Sequence, residues 1–352
     1  MVIESFERRG VPRSGIALKK AIKYTPLYKL IRGQNIAAQG IYLEITDLCD
    51  MSCPMCNTRQ HREGGQGPVL TPREIREKIF SHCHYLGFRD VTISGGEPTL
   101  APHLREVIGD AVRMGYRVFL VSNMLRGDEG LWRNILTLMR DPRHTVLVSF
   151  DSSVESEMNA IRGADVFARV VDNSRKIVQL RNGLKAGTQL KAAIVLQPRN
   201  ARSLMETVDY LLNDIRFDKV LIQPRHDYSR VTLMNYRRQA RAGAYTLSER
   251  EELIRASELL FRKAAEDPRI VPTRGPLGHW VDFYTNPLKI RKMCESTALI
   301  YVDAYGNLRG CLSGDTLGTI RDTSIACFLK SKQYRRFLMF ARICNICVHG
   351  CS

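Results

Sequence analysis

The chain of 352 residues contains no run near the ~20 consecutive apolar residues that a membrane-spanning helix needs. Its first nine residues carry Glu4, Glu7, Arg8 and Arg9 and no apolar core, which excludes a secretory signal and makes the cytoplasm the expected compartment. Acidic residues are short against basic ones, 36 against 53, so the formal charge is +17 and anionic partners are favoured. Much of that excess lies in residues 1–33: Arg8, Arg9, Arg13, Lys19, Lys20, Lys23, Lys29 and Arg32 stand against Glu4 and Glu7. Aromatic residues are few at 8%, and only Tyr24 and Tyr28 accompany this basic stretch. With no recognised nucleic-acid motif, it reads as a solvated basic arm, and no nucleic-acid partner is expected. Internal repeats and low-complexity tracts are absent. Isolated cysteines are scarce too: of ten, three sit at 49, 53 and 56, six lie between 294 and 351, and only Cys83 stands alone. Clustering in a reducing compartment excludes a disulfide framework and points to metal or redox chemistry.

What is present is a regular alternation. Ile41–Thr46, Asp90–Ser94, Tyr116–Ser122, Thr145–Phe150, Leu190–Leu196 and Lys219–Gln223 are short apolar or β-branched runs that read as strands. Helical patterns lie between them at Pro72–Tyr85, His103–Met114, Glu129–Arg140, Asp165–Gln179 and Ala201–Leu212. Thr71 is the expected N-cap of the first, with Glu74 completing a capping box. Six strands separated by helices imply a parallel α/β sheet, open or partly closed, with ligands at the carboxyl ends of the strands. Arg225–Tyr245 follows the sixth strand and carries five arginines among three tyrosines, either a solvated face or a hint of an anionic substrate. Leu247–Ala265 resumes as a helix, and Pro272–Pro287 looks like a linker.

The first strand leads into Cys49, Cys53 and Cys56, spaced C-x3-C-x2-C. Soft thiolates so close wrap one metal centre from a single loop. Zinc, with His61 as a fourth ligand, is one reading. A cubane held by three thiolates with one iron left open is the other. After the second strand comes Gly95–Gly96–Glu97–Pro98, in which glycines allow close backbone approach and a carboxylate suits an ammonium.

Triad and Gly-Gly-Glu-Pro together resemble the radical S-adenosylmethionine (SAM) superfamily. The resemblance implies a partial (β/α)6 TIM-like barrel, a [4Fe–4S] cluster on Cys49, Cys53 and Cys56, and SAM chelating the open iron. It places Gly95, Gly96 and Glu97 at the SAM amino group and Met55 near adenine. Ser122 and Asn123 match a polar pair serving SAM, Ser149 and Asp151 match ribose contacts, and Arg162 matches an arginine that pairs with the SAM carboxylate. Ordinary loop chemistry is the alternative for these: Asn123 as a turn cap, Arg162 as a surface charge.

Cys294, Cys311, Cys344 and Cys347 resemble the SPASM/Twitch extension, a small α+β domain holding one auxiliary [4Fe–4S] cluster. Cys351 is a substitute ligand, and zinc is the alternative occupant. Ala304–Asn307 reads as the turn of a hairpin between Ala298–Val302 and Leu308–Cys311. Cys327, in a helical turn before Phe328 and Leu329, is expected to be a buried thiol. The expected domains are a basic N-terminal helical extension (1–38), a radical SAM core (39–270), a linker (271–289) and the auxiliary domain (290–352).

Twitch-bearing aminocyclitol dehydrogenases share this arrangement, so the expected reaction is oxidation of a small, possibly anionic, sugar or cyclitol in natural-product biosynthesis. A flavodoxin- or ferredoxin-type protein would donate electrons. Redox-neutral epimerisation or decarboxylation, with Cys327 or Cys351 as hydrogen donor in the former, and modification of a ribosomally made peptide are the alternatives. No residue is otherwise singled out as catalytic.

Overall fold

A computed structural model of the chain describes residues 39–56, 67–225, 245–273, 275–286, 298–312 and 314–341. The N-terminal extension, His61, most of the arginine-rich segment after residue 225, and Cys294, Cys344, Cys347 and Cys351 lie outside them.

Among the described residues, seven strands pair in sequence order, all parallel: β1 (Gly40–Glu44), β2 (Asp90–Ser94), β3 (Arg117–Ser122), β4 (Thr145–Ser149), β5 (Gln189–Leu196), β6 (Lys219–Pro224) and β7 (Ile270–Pro272). Strand alternation explains the layering. Ile41, Leu43, Val91, Ile93, Val118, Leu120, Val146, Val148, Ala192 and Ile194 are all fully buried. Each Ile, Leu or Val among them contributes roughly 1.5–3 kcal/mol by leaving water. Along β1 and β3–β6 the intervening residues, including Tyr42, Glu44, Phe119, Leu147, Ser149, Val195 and Gln223, are mostly half-buried and form the opposite, more accessible face. The result is a parallel α/β sheet in a partial-barrel arrangement, as the radical SAM resemblance implies.

Helices follow the strands. The first starts at Pro72–Glu74, passes through a π-helical turn at Ile75–Phe80 and ends in Ser81–Tyr85. The expected capping box is present: Glu74 N donates to Thr71 Oγ1 at 3.2 Å, and Thr71 N to Glu74 Oε2 at 3.0 Å. Thr246 and Glu249 repeat the device at the start of the helix Leu247–Glu266.

Three expectations change. The stretch read as a linker holds the end of β7 and the helix Leu277–Thr285, whose Trp280 is fully buried against Phe261. A strand of three residues ending in Pro is tolerated because β7 is an edge strand. The C-terminal hairpin is not a separate layer. β8 (Leu299–Val302) pairs parallel with β1, and β9 (Asn307–Arg309) and β10 (Thr316–Thr319) extend the same sheet antiparallel, to ten strands among the described residues. Cys327 is exposed rather than buried. In the helix Ile325–Lys330 the inward positions are Ile325, Phe328 and Leu329, and the 3.6-residue period turns Cys327 outward.

Candidate active site

The loop from Thr46 to Cys56 leaves the carboxyl end of β1 and is gripped by the ends of the neighbouring strands. Gly96 N donates to Thr46 O at 2.8 Å, and Glu97 N to Leu48 O at 2.7 Å. The two glycines are required here by backbone, not only by a ligand. A Cβ on Gly95, whose φ is +142°, would lie 2.3 Å from Thr46 O, and one on Gly96 would lie 2.0 Å from Leu48 O. Met51 is buried in the core and anchors the middle of the loop. Beyond β3, Asn123 Nδ2 donates to Asp50 Oδ1 at 2.7 Å and stands 4.0 Å from Cys49 Sγ, while its Oδ1 accepts from Leu125 N at 2.9 Å. Asn123 thus caps its turn and holds the cysteine loop. Gly163 ends the helix Glu155–Arg162 at φ +72°, where a Cβ would meet Ser52 O at 3.0 Å. Beyond β5, Gln197 Nε2 donates to Met55 Sδ at 3.4 Å. From the C-terminal hairpin, the Tyr305 hydroxyl donates to Asp47 Oδ2.

Cys49, Cys53 and Cys56 are half-buried. Burial lifts the Cys53 thiol above its ordinary range, Arg162 pulls it down, and Cys56, Asp151 and Cys49 push it up. These groups therefore share one electrostatic neighbourhood. Among the described residues no three His, Cys, Asp or Glu side chains are gathered around a single-ion position.

Glu97 is 1% exposed. Its Oε1 accepts from Thr99 N at 3.1 Å, Thr99 Oγ1 at 2.7 Å and Ser122 Oγ at 2.9 Å, and its Oε2 accepts from Asn123 N at 2.7 Å. Burial raises the carboxyl, and these four donors oppose the shift. A carboxylate offers about four lone-pair sites, so Glu97 has little capacity left, and what remains is on Oε2. Ser122 is buried and committed to Glu97.

Arg162 is buried, not a surface charge. Its Nη2 pairs with Asp151 Oδ2 at 2.5 Å, and Asp151 Oδ1 accepts from Val195 N at 2.9 Å. Burial lifts Asp151 above the ordinary carboxylate range, against the pull of Arg162. Ser149, half-buried, ends β4 on the accessible face. Sequence reasoning paired Gly163 with Arg162 without seeing its contact with the cysteine loop, and it missed Gln197 and the contact made by Tyr305. Gln197 follows a strand end directly and was findable by the strand-end rule, whereas Tyr305 acts across 258 positions of sequence with no local signal.

Residues 43–211 match the family model of the radical SAM superfamily. A probable GTP 3',8-cyclase of Saccharolobus islandicus is 24% identical over 286 residues, covering 78% of this chain and 82% of that protein. GTP 3',8-cyclase 2 of Mycobacterium tuberculosis is 30% identical over 178 residues, covering 49% of this chain and 46% of that protein. Among solved structures, SuiB of Streptococcus suis bound to precursor peptide SuiA superposes with a TM-score of 0.68 at 11% identity, covering 97% of this chain and 78% of that one. The strand-end grip on the cysteine loop, the fold and the family match converge: the chain carries a radical SAM domain over residues 43–211.

Proposed function

We propose that this enzyme removes a hydrogen atom from an alcohol-bearing carbon of a small sugar- or cyclitol-type molecule and that the product is oxidised. The observation that carries this reading is the continuity of the sheet between two cysteine-bearing segments. β1 feeds the triad loop and pairs with β8, β8 pairs with β9, and Cys311 follows two residues after β9. Two strand spacings separate β9 from β1 by about 10 Å. Phe337, on the helix Lys332–Ala341 that precedes Cys344 and Cys347 in the sequence, packs on Gly310. Such an arrangement suits a second cluster on Cys294, Cys311, Cys344 and Cys347 that accepts an electron, with Cys351 in reserve.

When bound, SAM and a [4Fe–4S] cluster supply a 5′-deoxyadenosyl radical as the hydrogen-abstracting agent. The chain's part is to hold, orient and exclude water. Cys49, Cys53 and Cys56 would hold the cluster as thiolates. Arg162 Nε is buried without a hydrogen-bond partner among the described residues, a donor that fits the SAM carboxylate. Gly95 and Gly96 would offer backbone groups to the SAM amino group, and Glu97 keeps them in place with one lone pair to spare. Met55 and Gln197 would face the adenine, and Ser149 the ribose. Asn123 would steady the loop beside Cys49, and Asp151 would orient Arg162.

The relatives' name supports the substrate class, since position 3′ of a nucleotide is a hydroxyl-bearing ribose carbon. It also favours a second reading, a redox-neutral outcome on a ribose. Anaerobic reconstitution with SAM, dithionite and a small-molecule extract of cells grown on a deuterated carbon source separates the two. Deuterium should appear in 5′-deoxyadenosine and the product should be two hydrogens poorer than its precursor. A product at the precursor's oxidation level overturns the oxidative reading.

A further inference from the structure

At the carboxyl ends of the strands, the accessible sheet face holds a carboxylate that the loop-gripping network does not use. Glu44 ends β1, in register with Ser94 of β2, and is half-buried. Tyr42 precedes it on the same face. The Tyr42 hydroxyl donates to Ser94 Oγ at 2.9 Å, and its ring lies 5.3 Å from that of Tyr301 on β8. The charged groups facing Glu44 are Arg309 from β9, Asp303 from the β8–β9 turn and Asp47 from the cysteine loop. These are already engaged: Arg309 Nη2 donates to Asp303 Oδ2 at 2.7 Å, and Asp47 accepts from Tyr305. Asp303 also accepts from Tyr305 N at 3.0 Å and Asn307 N at 2.9 Å. Glu44 has no hydrogen bond or ion pair among the described residues. It stands five positions before Cys49, at the end of the sheet where the cysteine loop begins.

We propose that Glu44, at the end of the sheet where the cysteine loop begins, is the proton acceptor for the substrate, taking the proton from the hydroxyl on the substrate carbon that has lost its hydrogen atom. A hydroxyl on a carbon radical is more acidic than in the parent alcohol, so a carboxylate can remove its proton. The substrate O–H bond breaks heterolytically, an O–H bond forms on Glu44, and no electron moves in that step. The acid then returns its proton to water. Burial and the charges of Asp303 and Asp47 hold the carboxyl at about 7, against the pull of Arg309, where an acid–base group works best near neutral pH. The inference rests on the hydrogen-abstraction reading above.

The test uses the reconstituted full chain, its Glu44→Gln and Glu44→Asp variants, and the deuterated extract. Glu44→Gln keeps a hydrogen-bonding side chain but cannot take a proton. It should still put deuterium into 5′-deoxyadenosine within about twofold of the unsubstituted enzyme, while product falls about 100-fold. Glu44→Asp should recover part of the product. Carboxyl ¹³C NMR of glutamate-labelled protein, without substrate, should show one resonance titrating near pH 7 that vanishes in Glu44→Gln. Equal product from Glu44→Gln, or a Glu44 resonance titrating in the ordinary carboxylate range, overturns the role alone. No deuterium transfer by the unsubstituted enzyme overturns the hydrogen-abstraction reading, and the role with it.

Discussion

Single residues decide whether the cysteine loop is held. Gly96 is the tightest contact, since any Cβ there would meet Leu48 O at 2.0 Å. Gly96→Ala should therefore displace residues 46–48 and lower the iron bound by the triad, read as a loss of charge-transfer absorbance. Undiminished absorbance and SAM affinity would show that the clasp is dispensable. Asp151 and Arg162 form a buried ion pair. Asp151→Asn removes one charge and strands the other, which should cost about 3–5 kcal/mol in denaturant unfolding. A loss under 1 kcal/mol would mean that water reaches the pair, as it does at the surface. The triad and Glu97 could be nominated from the sequence because their spacing is local. The Arg162–Asp151 pair was not legible, because both residues match family positions that suggest ligands, and nothing local shows that they meet each other. The glycines were legible as a close approach, but the approaching group is the chain's own backbone.

At the scale of elements, short β-branched or apolar runs, helical patterns and the Thr71–Glu74 capping box made β1 to β6 and most helices readable. The helix Glu155–Arg162 escaped because its N-cap is Val154, which offers no side-chain acceptor. β7 escaped because three residues ending in Pro carry too short a pattern. Cys327 was misplaced because its apolar neighbours, not its own helical phase, suggested burial. The hairpin β8–β9 was readable from its turn, where Gly306 adopts φ +87°, but its pairing with β1 was not. That pairing is reinforced by the Tyr305–Asp47 hydrogen bond and by Arg321, which donates to Tyr305 O at 2.8 Å and Pro68 O at 2.8 Å. Tyr305→Phe should weaken the junction by about 1 kcal/mol, with faster amide exchange along β8 and β9. Unchanged exchange would remove this bond from the junction.

For the whole molecule, the pH dependence of stability carries the signature of Glu44. Its folded carboxyl is raised from 4.5 to about 7. Between those values the folded chain binds more protons than the unfolded one, so this contribution to stability is full below about pH 4.5 and is lost as pH rises through 7. Melting temperature should therefore fall over that window more in the unsubstituted chain than in Glu44→Gln, and parallel curves would contradict the shift. The two-cluster reading sets a stoichiometry of about eight iron atoms per chain. About four irons with stoichiometric zinc would make the C-terminal cysteines a zinc site and end the electron-port idea.

The central claim is that Cys49, Cys53 and Cys56 carry the SAM-cleaving centre. It is tested most directly by measuring 5′-deoxyadenosine from anaerobically reconstituted protein with SAM and dithionite, beside the Cys49→Ala, Cys53→Ala, Cys56→Ala triple variant. The unsubstituted chain should form 5′-deoxyadenosine, and the triple variant should form none while keeping its C-terminal iron. An undiminished yield from the triple variant would contradict the assignment.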